Sequence, residues 1–156
     1  MDMMRILDRL EEGFCAMALL ATALILFVNV TLRYVFSAST SWAEELIKYL
    51  MIWITFVGGS LCVRRGAHIR MDFLLGKLSP KSRRLVDRVI YLVSAIFCGF
   101  LAAYGVQIVS FNFRSGQVSP ALEVPMWIVY SAIPIGSGLM ALRFLQRITT
   151  ASEGGN

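Results

Sequence analysis

Gly13–Leu32 reads GFCAMALLATALILFVNVTL, twenty residues without a single Asp, Glu, Lys, Arg or His. As a helix it rises roughly 30 Å, the thickness of a bilayer's hydrocarbon core. It is longer than the ~7–15-residue core of a secretory leader. Asp2, Asp8, Glu11 and Glu12 also crowd its front, where a leader carries bases. We read it as a retained membrane helix, a cleavage near Ser37-Ala38-Ser39 being the alternative.

Composition supports the same class. Of 156 residues, 57% are hydrophobic and 16% charged, whereas a soluble domain is nearer one quarter charged. On a soluble chain the net charge of +5 would suggest nucleic acid. On apolar runs it reads instead as an orientation signal or attraction to anionic lipid. Cys15, Cys62 and Cys98 are solitary, odd in number and in apolar context, so they read as small buried residues rather than a disulfide framework.

Three further runs complete the frame. Trp42–Val63 spans 22 residues, roughly 33 Å, and Ser41-Trp42-Ala43-Glu44 fits a capping box ahead of it. Ser79-Pro80 reads as a cap and first helical residue. The helix from there to Phe113 is 34 residues, roughly 51 Å, so it must tilt or project from the membrane. Its membrane portion is 86–113. The fourth span runs from Pro125 to about Leu145, with a kink expected at Pro134. Residues 149–156 form a polar tail, and Ile69–Leu78 fits a short interfacial helix. The expectation is therefore one all-α membrane domain with four transmembrane helices.

Lysines and arginines orient it. Arg5, Arg9, the eight from Arg64 to Arg88, Arg143 and Arg147 make twelve on one side; Arg33, Lys48 and Arg114 lie on the other. Both termini are thus expected in the cytoplasm. Trp42 and Trp127 fall at the outer boundary, where indoles settle. Small residues at four-residue spacing (Ala95, Gly99 and Ala103; Ala132 and Gly136; Gly58 and Cys62) are read as helix-packing faces.

A protein that moves polar solutes by itself usually keeps ionisable groups near mid-membrane, and these spans hold almost none. Asn29, Gln107 and Asn112 read as interhelical hydrogen bonders. Lys48 can snorkel outward and follows Glu44 by four residues, a favourable helical pair; an ion-coupling role is the alternative. Arg33, Glu44 and Glu45 cluster at the outer edge and read as an ion pair closing the first hairpin, a structural clamp or subunit contact rather than a substrate site. His68, the one histidine, follows Gly66 in a turn. It reads as bonded to loop backbone, with pH sensing the alternative. No phosphate loop, dinucleotide turn, nucleophile elbow or HExxH motif occurs, so no enzyme, cofactor or metal site is expected.

The order Arg33, Trp42-Ala43-Glu44-Glu45, Trp53, Phe56-Val57-Gly58-Gly59, Arg65-Gly66-Ala67-His68-Ile69-Arg70-Met71-Asp72 has a familiar form. So does the later run Ala121-Leu122-Glu123-Val124-Pro125-Met126-Trp127-Ile128-Val129-Tyr130, then Ile133-Pro134-Ile135-Gly136 and Leu142-Arg143. Over roughly residues 5–147 it resembles the small membrane subunit of tripartite ATP-independent periplasmic (TRAP) transporters. The resemblance implies a non-catalytic subunit of the bacterial inner membrane, partnered by a large multi-span permease and a periplasmic solute-binding protein. It implies sodium-driven import of organic acids, with the transport site in the large subunit and this chain as scaffold and docking aid. The motif residues Arg33, Trp42, Glu44, Glu45, Trp53, Gly66, His68, Asp72, Pro125, Trp127, Tyr130, Pro134 and Gly136 are then candidates for assembly or docking. The rival readings are a self-sufficient four-span proton-coupled exporter, which needs a carboxylate inside a span, and a membrane anchor for an unrelated complex.

Overall fold

A computed structural model describes residues 2–36, 40–65 and 80–153. They form five α-helices: α1 Asp2–Val35, α2 Ser41–Arg65, α3 Pro80–Ser115, α4 Met126–Tyr130 and α5 Ala132–Glu153. Four segments are long and apolar enough to cross a membrane: Leu7–Val35, Ser41–Arg64, Leu85–Ser115 and Met126–Ile148. The expected interfacial helix at 69–78 lies outside the described residues, as do Gly66, His68 and Asp72.

Each boundary has a local cause. α1 extends through its acids to Asp2, well ahead of the apolar run. Thr22 and Thr31 donate to the carbonyls of Ala18 (2.7 Å) and Phe27 (2.8 Å) one turn back, so neither hydroxyl needs a partner from the membrane. α2 begins at Ser41 itself, which moves the cap position to Thr40, one residue before the Ser41 capping box that the sequence suggests. Thr40 is held by Asn29 of α1, whose Oδ1 accepts both its hydroxyl (2.9 Å) and its N–H (3.3 Å). α3 runs 36 residues and stops at Gly116, whose φ of 62° is the left-handed conformation glycine takes without penalty. α5 continues to Glu153, into the segment read as a tail.

The fourth crossing is broken at Ser131 rather than at Pro134. Proline has no N–H, so the carbonyl four residues earlier, that of Tyr130, loses its helical donor. The ladder resumes on either side, with Ser131 N–H on Trp127 O at 3.0 Å and Ile135 N–H on Ser131 O at 3.2 Å.

The helices form an open chain of neighbours. α1 packs on α2, α2 on α5 and α5 on α3, the last being the largest interface; among the described residues α1 and α3 share no extensive interface. One buried cluster joins Val63, Ala95, Cys98 and Phe144, another Cys15, Val57 and Leu61 beneath Trp53. Close backbone approach sets both crossings of α5. A methyl at Gly136 would lie 2.5 Å from Phe56 Cβ and 2.7 Å from its carbonyl carbon, and one at Gly105 would lie 2.9 Å from Pro134 Cδ.

The small-residue stripe of α3 is not the face that packs within this chain. Ala95 is buried, but Gly99 and Ala103 are exposed and Gly99 has open space around it. The inward positions are Ala95, Cys98, Ala102, Gly105, Val109 and Asn112, alternating three and four residues as a helix seam does. Cys62 is likewise exposed while Cys15 and Cys98 are buried, and Gly58 faces Cys15 Sγ.

Candidate functional site

Four crossings bring the start of α1 and the end of α5 to one side, and Phe36, Thr40 and the connection 116–125 to the other. Polar side chains with partners gather at both edges.

On the loop side, the connection after α3 folds onto itself. Ser119 N–H donates to Val124 O (3.0 Å), Glu123 N–H to Ser119 O (3.1 Å) and Met126 N–H to Gln117 O (2.9 Å). Val124 N–H donates to Ser119 Oγ at 3.3 Å. Glu123 takes a φ of 53° to close the turn. The amides of Ala121 and Leu122 are left pointing at α2, where Glu45 receives them: Ala121 N–H lies 3.2 Å from each carboxylate oxygen and Leu122 N–H 3.1 Å from Oε2. A carboxylate suits this position because ionised acceptors make the stronger hydrogen bonds.

Glu45 is thus committed to the loop, not to Arg33. Glu44, one residue earlier and 100° round the helix, meets Arg33 Nη1 at 3.9 Å, with side chains 48% and 64% exposed. Such a pair is worth at most about 1 kcal/mol. Among the described residues Lys48 pairs with neither acid, so the spacing-based Glu44–Lys48 pair does not form. Around the loop, Tyr49 donates to Met126 Sδ at 3.7 Å and Phe113 meets Trp127 edge-on at 5.9 Å. Trp42 is exposed and Pro125 caps α4.

The remaining candidates lie elsewhere. Trp53 sits inside the α1–α2 contact, edge-on to Phe14 at 6.1 Å. Tyr130, Pro134 and Gly136 shape the broken crossing. Of the three polar residues read as interhelical bonders, Asn29 ties α1 to the head of α2. Asn112 instead donates to Ile108 O of its own helix at 2.9 Å, and Gln107 is exposed.

On the terminal side the structure assembles a group that sequence reading missed. Arg143 of α5 is only 8% exposed, and Glu11 of α1 only 6%. Arg143 Nη2 lies 2.8 Å from Glu11 Oε2 and 3.0 Å from Asp8 Oδ1. Arg64 of α2 adds Nε to Asp8 Oδ2 at 3.1 Å and Nη1 to Glu12 Oε1 at 3.4 Å, and Arg147 donates to the Arg64 carbonyl. Three helices are thereby clasped by ions. The sequence signal was the spacing of Asp8, Glu11 and Glu12, three and four residues apart on one helix face.

No group of three or more His, Cys, Asp or Glu residues able to hold a metal occurs among the described residues. Among the described residues the arrangement ties helix ends and a loop together.

Comparison with known proteins agrees with this frame. The family model described as "Tripartite ATP-independent periplasmic transporters, DctQ component" matches residues 22–154. The C4-dicarboxylate TRAP transporter small permease protein of Rhodobacter capsulatus is 37% identical, covering 92% of this chain and 77% of that protein. The ectoine TRAP transporter small permease protein of Halomonas elongata is 31% identical over 90% of this chain and 72% of its own length. The sialic acid TRAP transporter permease protein of Haemophilus influenzae is 27% identical, with 94% of this chain matching only 23% of that longer protein. A match across most of the chain on a four-crossing frame places it in the DctQ family: it is a small permease subunit of a TRAP transporter.

Proposed function

We propose that this chain is the non-catalytic scaffold and docking subunit of a sodium-driven importer of organic acids in the bacterial inner membrane. Its termini face the cytoplasm, and the Glu45-pinned loop faces the periplasm. It holds a large multi-span permease, which carries the substrate and sodium sites, and presents its loop edge to a periplasmic solute-binding protein. The observation that carries this reading is where the partnered ionisable groups lie: they are paired at the two edges of four apolar crossings. A chain that moved its own solute would need such groups within the crossings.

Two further points support it. Relatives named for C4-dicarboxylate and for ectoine match the same frame, so solute choice belongs to other components. The long sialic acid permease that contains a region like this one places a small-subunit unit and a much larger one in a single polypeptide, as expected if the two work side by side. The exporter reading loses its carboxylate, since Glu11 is engaged by Arg143.

The test is co-expression with the large permease and the binding protein encoded beside it. A one-to-one membrane complex is expected, together with sodium-gradient-driven uptake in proteoliposomes that is lost without this chain. Uptake by the large subunit alone at the full rate, with this chain purifying by itself, would overturn the proposal. Charge reversal of Glu44 and Glu45 should reduce uptake. His68→Ala should leave it largely intact.

A further inference from the structure

The loop-side half of α3 turns Gln107, Ser110 and Arg114 away from the protein. With Val106 and Phe111 they line an open groove of about 300 Å³. At 100° per residue the three polar side chains fall within roughly a 60° arc, opposite the seam that packs on α5. None of the three has a hydrogen-bond or ion-pair partner among the described residues. Gln107 lies seven residues below Arg114, roughly 10 Å deeper in the crossing.

The outward face of α1 is different. Its exposed side chains include Leu20, Leu24 and Phe27, and its hydroxyls are satisfied by their own helix. Lipid tails can cover that face without loss. They cannot supply partners for a primary amide, whose burial unpaired in hydrocarbon is costly. Resting on the function proposed above, we infer that the Gln107–Ser110–Arg114 face is where a transmembrane helix of the large permease packs, offering carbonyl, hydroxyl or carboxylate oxygens to the amide and the guanidinium.

Charge selects this occupant over a second copy. Two copies inserted with the same orientation hold Arg114 at the same depth. A two-fold contact through this face brings the two guanidiniums together, which is unfavourable. Among the described residues the flank is otherwise free, because α3 has α5 and the short α4 as its packed neighbours. Gly99 and Ala103 continue the face toward the terminal side, and the open space at Gly99 admits close approach of another backbone.

The test uses the full complex in membranes. A benzophenone amino acid in place of Ala103 is expected to give, on irradiation, an adduct with the mass of this chain plus the large permease. The same probe in place of Leu24 on α1 should give none. Gln107→Leu combined with Arg114→Ala should lower the recovered complex at least fivefold without changing this chain's own level in the membrane, because neither side chain has a partner among the described residues. Adducts at Ala103 with lipid only, or with a second copy, overturn the assignment, as does full recovery of the complex by the double variant. Adducts to the permease from Leu24 but not Ala103 overturn the surface while leaving the proposed function standing. Failure of the unsubstituted chain to form any complex sinks both.

Discussion

Replacing Arg143 by methionine removes the guanidinium that meets Glu11 at 2.8 Å and Asp8 at 3.0 Å. Methionine keeps an unbranched stem of similar reach, so packing against α1 is nearly conserved. Asp8 retains Arg64 at 3.1 Å, which leaves Glu11, 6% exposed, as the stranded charge. Removing one partner of a buried pair costs about 3–5 kcal/mol. With one carboxylate rather than two orphaned, about 3 kcal/mol is the expected loss. The double variant Glu11→Gln/Arg143→Met carries no buried charge there. Exchange of a whole buried pair for uncharged side chains is commonly neutral or stabilising, so the double variant should recover most of that loss. The assay is denaturation of the purified chain in mild detergent, followed by circular dichroism, for the wild type, both single variants and the double. A coupling energy of about 2 kcal/mol is expected. If Arg143→Met unfolds within about 0.5 kcal/mol of wild type, or the two single effects simply add, the clasp does not hold these helices together.

Three other outcomes follow from the geometry. Glu45→Ala strips the acceptor from the amides of Ala121 and Leu122. Two charge-assisted bonds at a half-exposed site are worth about 2 kcal/mol together, so hydrogen exchange of these amides should accelerate roughly 30-fold; an unchanged rate in the 116–125 peptide would contradict the pinning. Gly136→Ala forces a methyl to 2.5 Å from Phe56 Cβ and should cost about 1–3 kcal/mol by overpacking. Gly99→Ala, facing open space inside a helix, should hold or raise the isolated chain's denaturation midpoint, by about 0.5–1 kcal/mol at most, and equal midpoints for the two variants would refute the α2–α5 close approach. Arg33→Ala should cost less than about 0.5 kcal/mol, because its ion pair is long and exposed; a large drop in stability would mean that Arg33 has a stronger partner than Glu44.

What the sequence made legible was whatever depends on neighbours in the chain. Gly13–Leu32 needs only its own length and composition to declare a crossing, and Pro134 only its missing N–H to declare a broken one. The break itself falls at Ser131, because the carbonyl that suffers belongs to the turn before the proline. Contacts between distant residues stayed hidden. Glu45 and Ala121 are 76 residues apart, and Glu11 and Arg143 are 132 apart. In a linear reading Arg143 counted as an orientation charge and as part of a motif, with nothing to say that it meets Glu11. The α3 stripe was ambiguous for a related reason. Ala95, Gly99 and Ala103 have the spacing of a packing face, but Cys98, Ala102 and Gly105 one step round the helix have it too, and size alone does not say which side has a neighbour.

The rung missing between the Tyr130 carbonyl and Pro134 also marks a soft point in the fourth crossing. A helix missing one rung bends more easily there than elsewhere. The short rod above it, α4, is tied to α3 through the Phe113–Trp127 ring contact and to α2 through Tyr49 and Met126, and the loop ahead of it hangs on Glu45. A force applied to that loop from outside the membrane therefore enters through α2 and α3, and reaches α5 through their side-by-side packing as well as along the fourth crossing's own backbone.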